Sequence, residues 1–369
     1  MRLALRELRR RPGRFTTAAV ILTLIAILLM FLGSLLDGLI RNSTGAVRAQ
    51  QGAAIVYSEA AQASFLRSRI EPSTRAEIAA VDGVDGTGGL GVVLLGARVP
   101  GNGPRDLANT AVWGYEIPPE GVPEPPGDGE AYADEVLEAD GVELGDELLV
   151  GPARTPITVV GFVADTAFNG QGGLWANADT WHAVLDLNRP DAALADDVFQ
   201  AILVTSDGSV DDDVLARRID DTVGSGVEAF SIPDAIDAIP GVTEQQATFN
   251  QILGVTVVIA LVVIALFFAL LTVERTALYG VLKAIGARST TIFGGLVVQA
   301  VVVTSIAAVV AGVAVVVLDL VVPPGSIPLF VSLPRILTST VLLLIAAIVG
   351  CAFSLRRVLR IDPASALGG

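Results

Sequence analysis

The sequence predicts an integral membrane α-helical protein. It has four transmembrane helices in a 1 + 3 layout and a mixed α+β extracytoplasmic domain inserted between helices 1 and 2. Three observations predict this. Four uncharged runs reach membrane length, basic residues cluster beside the ends of those runs, and acids collect in the long segment between the first two. The bulk composition agrees. Of 369 residues 52% are hydrophobic and only 17% charged, with a mean hydropathy of +0.63, whereas a soluble domain of this length must cover itself with charge. A net charge of −15 argues against nucleic acid as a partner, and a single cysteine and a single histidine exclude a disulfide framework, a thiolate zinc site or a poly-His metal centre.

The runs are Phe15–Leu36, Ile252–Val273, Ser289–Leu318 and Ile336–Leu355, of 22, 22, 30 and 20 residues. At 1.5 Å rise per residue the shortest reaches about 30 Å, the thickness of a bilayer's hydrocarbon core. Charge then orients them, because Lys and Arg in short flanking segments stay on the cytoplasmic side. Arg2, Arg6, Arg9, Arg10, Arg11 and Arg14 precede the first run. Arg275, Lys283 and Arg288 lie between the second and third, and Arg356, Arg357 and Arg360 follow the fourth. Residues 40–251 instead hold 34 acids against 11 arginines, a net charge of 11 − 34 = −23. Both termini are therefore expected in the cytoplasm and the long segment outside. The expected layout is a cytoplasmic amphipathic segment over 1–14, helix 1 over 15–39, the outer domain over 40–251 and helix 2 over 252–273. A cytoplasmic loop over 274–288, helix 3 over 289–318, a short outer loop over 319–335, helix 4 over 336–355 and a cytoplasmic tail over 356–369 complete it. A cleaved signal peptide is the competing reading of the start, but a 22-residue core exceeds the usual h-region of about 7–15 residues.

Within the outer segment, Thr74–Val81 and Val210–Val223 read as helices, the second with Val214, Leu215 and Ile219 on one face. Val92–Leu95, Glu147–Val150, Pro156–Val163 and Val198–Thr205 read as strands bounded by Gly, Pro and Asp, and Pro100–Pro126 reads as a Pro- and Gly-rich excursion. No catalytic constellation emerges. His182 stands in Trp181-His182-Ala183 with no nucleophile elbow nearby, so a core or surface histidine is expected. Asp211-Asp212-Asp213 lacks the Gly and distal Glu of a calcium loop and suits a solvated helix start. Gly88-Gly89-Leu90-Gly91 does not complete a dinucleotide fingerprint.

A phosphate-binding loop requires a Lys in G-x-x-x-x-G-K-[ST]. The only lysine, Lys283, sits in Val281-Leu282-Lys283-Ala284. The chain is thus expected to be no enzyme, and any ATP-driven work needs a partner that holds ATP and Mg. The loop Glu274-Arg275-Thr276-Ala277-Leu278-Tyr279-Gly280-Val281-Leu282-Lys283-Ala284-Ile285-Gly286-Ala287 places Leu278, Val281, Leu282 and Ile285 at i, i+3, i+4 and i+7. That spacing makes one apolar stripe, with Lys283 off it and Gly286 as a helix end. The stripe either rests on membrane lipid or docks in a groove on a soluble partner.

This loop resembles the coupling-helix signature of the FtsX-like permeases of ABC transporters, which include MacB-like and lipoprotein-extracting permeases. Glu274, Arg275, Gly280, Val281, Leu282, Lys283, Ala284, Gly286 and Ala287 match it, and Leu278 departs, standing where many relatives carry Glu. The tail Asp362-Pro363-Ala364-Ser365-Ala366-Leu367 is similar to the family's D-P-A-x-A-L. Leu144-Gly145-Asp146 with Thr155–Gly161 resembles the MacB-like core, so the outer domain is expected to be MacB-core-like. Leu3–Phe15 and Val56–Ile70 look closest to the DevC-like and haem-efflux branch. The resemblance implies a homodimer in the bacterial plasma membrane, bound to cytoplasmic ABC ATPase subunits and working by mechanotransmission. Glu274, Arg275, Leu278, Gly280, Val281, Leu282, Ile285 and Gly286 are the implied ATPase-coupling residues. The substrate it implies is amphipathic: haem, lipid or peptide. The second function class is a non-transporting signal transmitter that regulates an extracytoplasmic cell-wall hydrolase.

If haem is the substrate, Met30, Phe31 and Asp37 in the outer half of helix 1 are the candidate contacts, with thioether and carboxylate as axial ligands. The competing and weightier account of Met30 is that it fills a packing gap. Asp37 and Asp319 are expected to mark the outer boundary and stay hydrated, since a carboxylate in hydrocarbon costs roughly 2.5–3.5 kcal/mol.

Overall fold

Apolar runs free of internal proline form helices because only a helix satisfies its own backbone in apolar surroundings, and the shorter β-branched and aromatic runs pair as strands. The computed structural model describes residues 12–103, 105–195, 197–274, 280–281, 285–286, 288–322 and 327–359. In chain order the elements are α1 (Pro12–Arg48), β1 (Ala54–Ser58), α2 (Pro72–Ala79), β2 (Val84–Arg98), β3 (Leu107–Tyr115), β4 (Glu130–Asp134), β5 (Glu147–Val150), β6 (Thr155–Val163), β7 (Gly172–Ala176), α3 (Ala178–Asn188), β8 (Ala201–Ser206), α4 (Asp212–Val223), β9 (Val227–Ser231), α5 (Ile232–Ala238), α6 (Val242–Glu274), α7 (Ser289–Val321) and α8 (Leu333–Leu359). They divide into a helical unit (Met1–Gly38, Ala247–Val322, Leu329–Gly369) and a sheet unit (Leu39–Gln246, Pro323–Pro328).

In the helical unit, α1, α6, α7 and α8 are long and apolar enough to cross a membrane. Two buried clusters hold them together. One gathers Leu22, Ile264, Phe268, Leu296, Val303 and Ala347, and the other Leu29, Met30, Ala260, Ala311, Val315 and Leu343. Alanine and glycine at these positions let helices approach closely. A methyl placed on Gly350 would lie 3.0 Å from the Leu261 carbonyl oxygen. The outward faces carry exposed Val255, Leu266, Leu270, Val309, Leu320 and Val341, as suits side chains that meet hydrocarbon.

The sheet unit is a nine-stranded mixed sheet in the order β3-β7-β4-β6-β5-β2-β8-β1-β9, with an added β3–β2 pairing. That pairing closes β2, β3, β7, β4, β6 and β5 into a ring. Strand β2 achieves it by length: Leu90–Arg98 pairs with β3, Ala97 and Arg98 also pair with β5, and Val84–Leu90 pairs with β8. Strands β8, β1 and β9 extend from it, leaving β9 as an edge.

Side chains alternate along each strand, so burial on both faces yields two cores. Val93, Leu95, Val112, Leu174, Ile202 and Val204 share one core with Ile78 of α2, Trp181 and Val184 of α3 and Leu215 and Ile219 of α4. Val92, Trp113, Tyr115, Trp175, Ile55 and Tyr57 share the other with Ala46 and Val47 at the end of α1, Ala235 of α5 and Val242 at the start of α6. The glycines of β2 and β3 are spaces for rings. Trp181 lies on Gly91 and Gly114, and Phe199 lies on Gly89, where an added methyl would come within 2.5 Å of its ring. Gly88-Gly89-Leu90-Gly91 is thus a packing surface.

Two expectations are corrected here, and four short strands are added. The stretch Pro100–Pro126 does not simply loop out, because Leu107–Tyr115 is β3, antiparallel to β2 and parallel to β7. Turn residues on both sides masked a strand whose last six residues are buried. On α4 the buried face is Leu215, Ala216 and Ile219, whereas Val214 points outward. And β1, β4, β7 and β9, each five residues long, are strands for which the sequence offers little alternation to read. His182 is a core histidine on α3, its ring 4.6 Å from that of Trp181 and 5.7 Å from that of Phe199.

These contacts set a stability test. Gly91→Ala should lower the unfolding free energy of the sheet unit by about 1–3 kcal/mol, because the methyl overlaps the six-membered ring of a fully buried tryptophan. Equilibrium unfolding of the full chain in detergent, followed by tryptophan fluorescence, measures it. Gly254→Ala, whose methyl meets nothing within 4 Å, should leave the tryptophan transition in place.

Candidate functional site

The four apolar runs of the helical unit carry no charge, so an ion pair at their ends stands out. Asp37 on α1 and Arg335 on α8 meet through both carboxylate oxygens: Arg335 Nε donates to Oδ2 at 2.7 Å and Nη2 donates to Oδ1. About a quarter of each side chain is exposed. The bidentate geometry is the one a planar guanidinium favours with a carboxylate. Gly33, one turn before Asp37, makes room, since a methyl there would lie 2.7 Å from Arg335 Cδ. The chain before α8 closes on the same end of α1, with Phe330 N–H donating to the Ser34 carbonyl at 3.1 Å and Ser332 Oγ accepting from Arg335 N–H at 3.3 Å.

Asp37 is therefore ion-paired as well as partly exposed. Arg335 is the partner that charge counting passed over, because as the single cation of its short segment it joined no cluster. Sequence spacing would have pointed to Arg41, four residues on, as the partner of Asp37, but Arg41 is taken by Asp165.

The proposed substrate contacts do not converge. Met30 is fully buried with Leu29, Ala311 and Leu343, and Phe31 packs beside that cluster. Asp37 stands seven residues further on, about 10.5 Å of helix rise. Met30 thus packs among side chains of α6, α7 and α8. An apolar recess between α1, α6 and α7, lined by Ile21, Leu22, Val263, Ile264, Phe267 and Phe268, offers no polar group to a ligand.

Of the ATPase-coupling residues, Arg275, Leu278 and Leu282 lie outside the described residues, as do Lys283 and the 360–369 tail. Glu274 ends α6 and is exposed. Gly280 is buried, Val281 is exposed and Ile285 is 75% exposed. Ile285 N–H donates to the Val281 carbonyl at 3.1 Å, one helical turn, and Gly286 follows at φ +95°, a left-handed residue that ends a helix. Val281 and Ile285 share a face four residues apart.

In the sheet unit, burial raises the carboxyls of Asp220 and Glu228 above the ordinary range. For Glu228 the neighbouring Asp220 and Glu59 add to it, while for Asp220 a hydrogen bond from Ala229 N–H at 2.7 Å opposes it. Asp207 moves the other way because Ser209 donates to its carboxylate. Burial likewise raises the Tyr57 and Tyr115 phenols. Among the described residues no group of three or more His, Cys, Asp or Glu is placed to hold a metal ion.

Residues 250–363 match the family model of the FtsX-like permease C-terminal domain, so the resemblance carried by the 274–287 loop holds over the last three long helices. A Staphylococcus epidermidis protein, HrtB, whose name assigns it provisionally to hemin transport as the system's permease, is 22% identical over 369 residues, covering 100% of this chain and 99% of that protein. An uncharacterized ABC transporter permease of Mycobacterium bovis is 28% identical over 376 residues, covering 99% of each. Among solved structures, the periplasmic region of MacB from Actinobacillus actinomycetemcomitans aligns with 51% of this chain and 92% of its own, at 12% identity and a TM-score of 0.34.

Breaking the Asp37–Arg335 pair from one side leaves a charge in partly buried surroundings, so Asp37→Asn should cost about 1–3 kcal/mol. The thermal midpoint of the full chain in detergent should fall, and the swap Asp37→Arg with Arg335→Asp should recover part of the loss. Carboxyls raised in the folded state bind protons more tightly there than in the unfolded chain, so their contribution to stability is lost as pH rises through the raised values. The tryptophan-monitored unfolding midpoint should therefore rise as pH falls through the raised values of Asp220 and Glu228, and Glu228→Gln should flatten that rise.

Proposed function

We infer that this chain, with its FtsX-like permease domain, is the membrane subunit of an ABC transporter, moving an amphipathic substrate by mechanotransmission with ATP hydrolysed on a separate subunit. The observation that carries the reading is the extent of the similarity. A hemin transport system permease and an ABC transporter permease each align with this chain from end to end, and the family match spans the loop that would receive the ATPase. The sequence holds no phosphate-binding loop of its own, so ATP and Mg would reside on the partner.

In this reading the chain sits in the plasma membrane of a bacterium with both termini in the cytoplasm. The basic loops 1–14, 274–288 and 356–369 face inward, the acidic 40–251 domain faces outward, and two copies pair. ATP-driven closure of the partner moves the Leu278, Val281, Leu282 and Ile285 stripe, and helices relay the displacement across about 30 Å of hydrocarbon. No charged residue interrupts the four apolar runs, which suits a substrate taken up from the membrane or its outer face rather than a pore. Haem fits the amphipathic class, and the hemin assignment of the staphylococcal relative favours it over a purely lipid or peptide cargo.

The docking stripe is the part most open to test. Leu282→Glu and Ile285→Glu should each abolish co-purification of the ATPase while leaving membrane insertion unchanged. A carboxylate in a dry apolar groove forfeits about 1.5–3 kcal/mol of burial and adds a desolvation penalty. Lys283→Glu, off the stripe, should do less. Insertion is checked by protease protection of the outer domain. Normal ATPase retention by correctly inserted Leu282→Glu and Ile285→Glu would remove the docking assignment.

A further inference from the structure

The last ten residues of α1, Leu39–Arg48, belong to the sheet unit, and the chain between β6 and β7 grips them. Between β6 and β7, residues 164–171 run along the helix as a strand runs along its neighbour, with Thr44 and Phe168 as bridge partners. Ala46 N–H donates to the Ala167 carbonyl at 3.1 Å. Asn169 and Gly170 N–H donate to the Ser43 and Asn42 carbonyls at 3.1 and 3.2 Å. Backbone meets backbone there because position 45 is glycine. A methyl on Gly45 would lie 2.7 Å from the Asp165 carbonyl oxygen and 2.8 Å from that of Ala167.

Charge locks the same contact. Arg41 and Arg48, two helical turns apart, both reach one carboxylate: Arg41 donates to Asp165 Oδ2, and Arg48 Nη2 donates to Asp165 Oδ1 at 2.5 Å. The turn is held equally firmly on its far side. Thr166 donates to Asp134 Oδ2 from both N–H and Oγ1, each at 2.7 Å, and Asp134 is fully buried. Phe168 is set edge-on to Trp113 at 5.1 Å and to Phe65 at 5.9 Å, inside the aromatic core. Asp165 and Asn169 sit at φ +62° and +51°, left-handed conformations that non-glycine residues keep only where surroundings impose them.

We propose that the 164–171 turn is the joint that makes the end of α1 and the sheet unit move as one body, with Asp165 as its positioning residue. The proposal rests on the mechanotransmission reading and adds where displacement would leave the helix. An interface held only by side-chain packing can slide, as packed helices do in shear motions. Three backbone hydrogen bonds, a doubly paired carboxylate and a glycine contact with no side chain between them prevent sliding. Asp165→Asn keeps the size of the side chain but removes the charge that draws two arginines together. The helix end would then shift against the turn instead of carrying it.

The test uses the full chain co-purified with its ATPase in nanodiscs, in a Cys351→Ala background with spin labels at Leu144→Cys and Leu320→Cys, two exposed positions. Addition of ATP and vanadate is expected to change the distance between the labels. Asp165→Asn, and independently the pair Arg41→Gln with Arg48→Gln, should lose that change while retaining the ATPase and the native tryptophan unfolding transition. Asp165→Glu should restore much of it. A residue that only stabilised the fold would lower the unfolding midpoint without abolishing the distance change. Variants that keep the wild-type distance change overturn the joint alone. A wild-type complex that binds ATPase yet shows no nucleotide-dependent change overturns the mechanotransmission reading, and the joint with it.

Discussion

An α-helix carries its own hydrogen bonds, and that property lets one element serve in hydrocarbon and in water without interruption. Helix α1 is the case on which much else depends. Its 37 residues correspond to about 55 Å, well beyond the length a bilayer core demands. The apolar part packs Leu22, Leu29 and Met30 among the other long helices. The polar part, from Arg41 onward, has surplus length that presents Arg41, Thr44 and Arg48 to the sheet unit. No proline breaks it after Pro12, and Gly33 and Gly45 are the places where other chain comes close.

The sheet unit answers with stiffness. Both faces of the strands are buried, and rings fill spaces that glycines leave, so Trp181 and Phe199 sit against backbone rather than against mobile side chains. Close packing of this kind resists small displacements. Closure of β2 onto both β3 and β5 removes two edges that would otherwise flex or pair with a neighbour. The aromatic face joins Trp113, Tyr115 and Trp175 to Ala46 and Val47 at the end of α1 and to Val242 at the start of α6.

Electrostatics divide the acids into two populations. Most of the 34 carboxylates in residues 40–251 decorate a surface, where screening makes each pairwise term small. Asp37, Asp134 and Asp165 differ, because each has both oxygens or several donors engaged. Charge-assisted bonds are strong and directional, and these three carboxylates are where helices or turns are held in register.

Hydropathy, charge distribution and one loop motif by themselves pointed to a membrane chain with four long helices, an acidic stretch over residues 40–251 and a resemblance to FtsX-like permeases, which the family match over residues 250–363 supports. Those properties follow from local composition: an apolar run of 20 residues has few other options, and the loop motif is contiguous. Helices with a clear periodic face, such as the one ending at Val223, were legible to within a few residues, as was the Glu147–Val150 strand. The five-residue strands and β3 were not, because their identity lies in partners dozens of residues away and the intervening turn chemistry dominates the local signal. Gly88-Gly89-Leu90-Gly91 looked like a failed nucleotide motif until Trp181 and Phe199 were seen to lie on it. The pairings Asp37–Arg335, 298 residues apart, and Asp165 with Arg41 and Arg48, 124 and 117 apart, leave nothing in the sequence that names the partner. Only the tertiary structure decided them, because a carboxylate's partner is set by which backbones the fold brings close enough for side chains to meet, not by the neighbours it has along the chain.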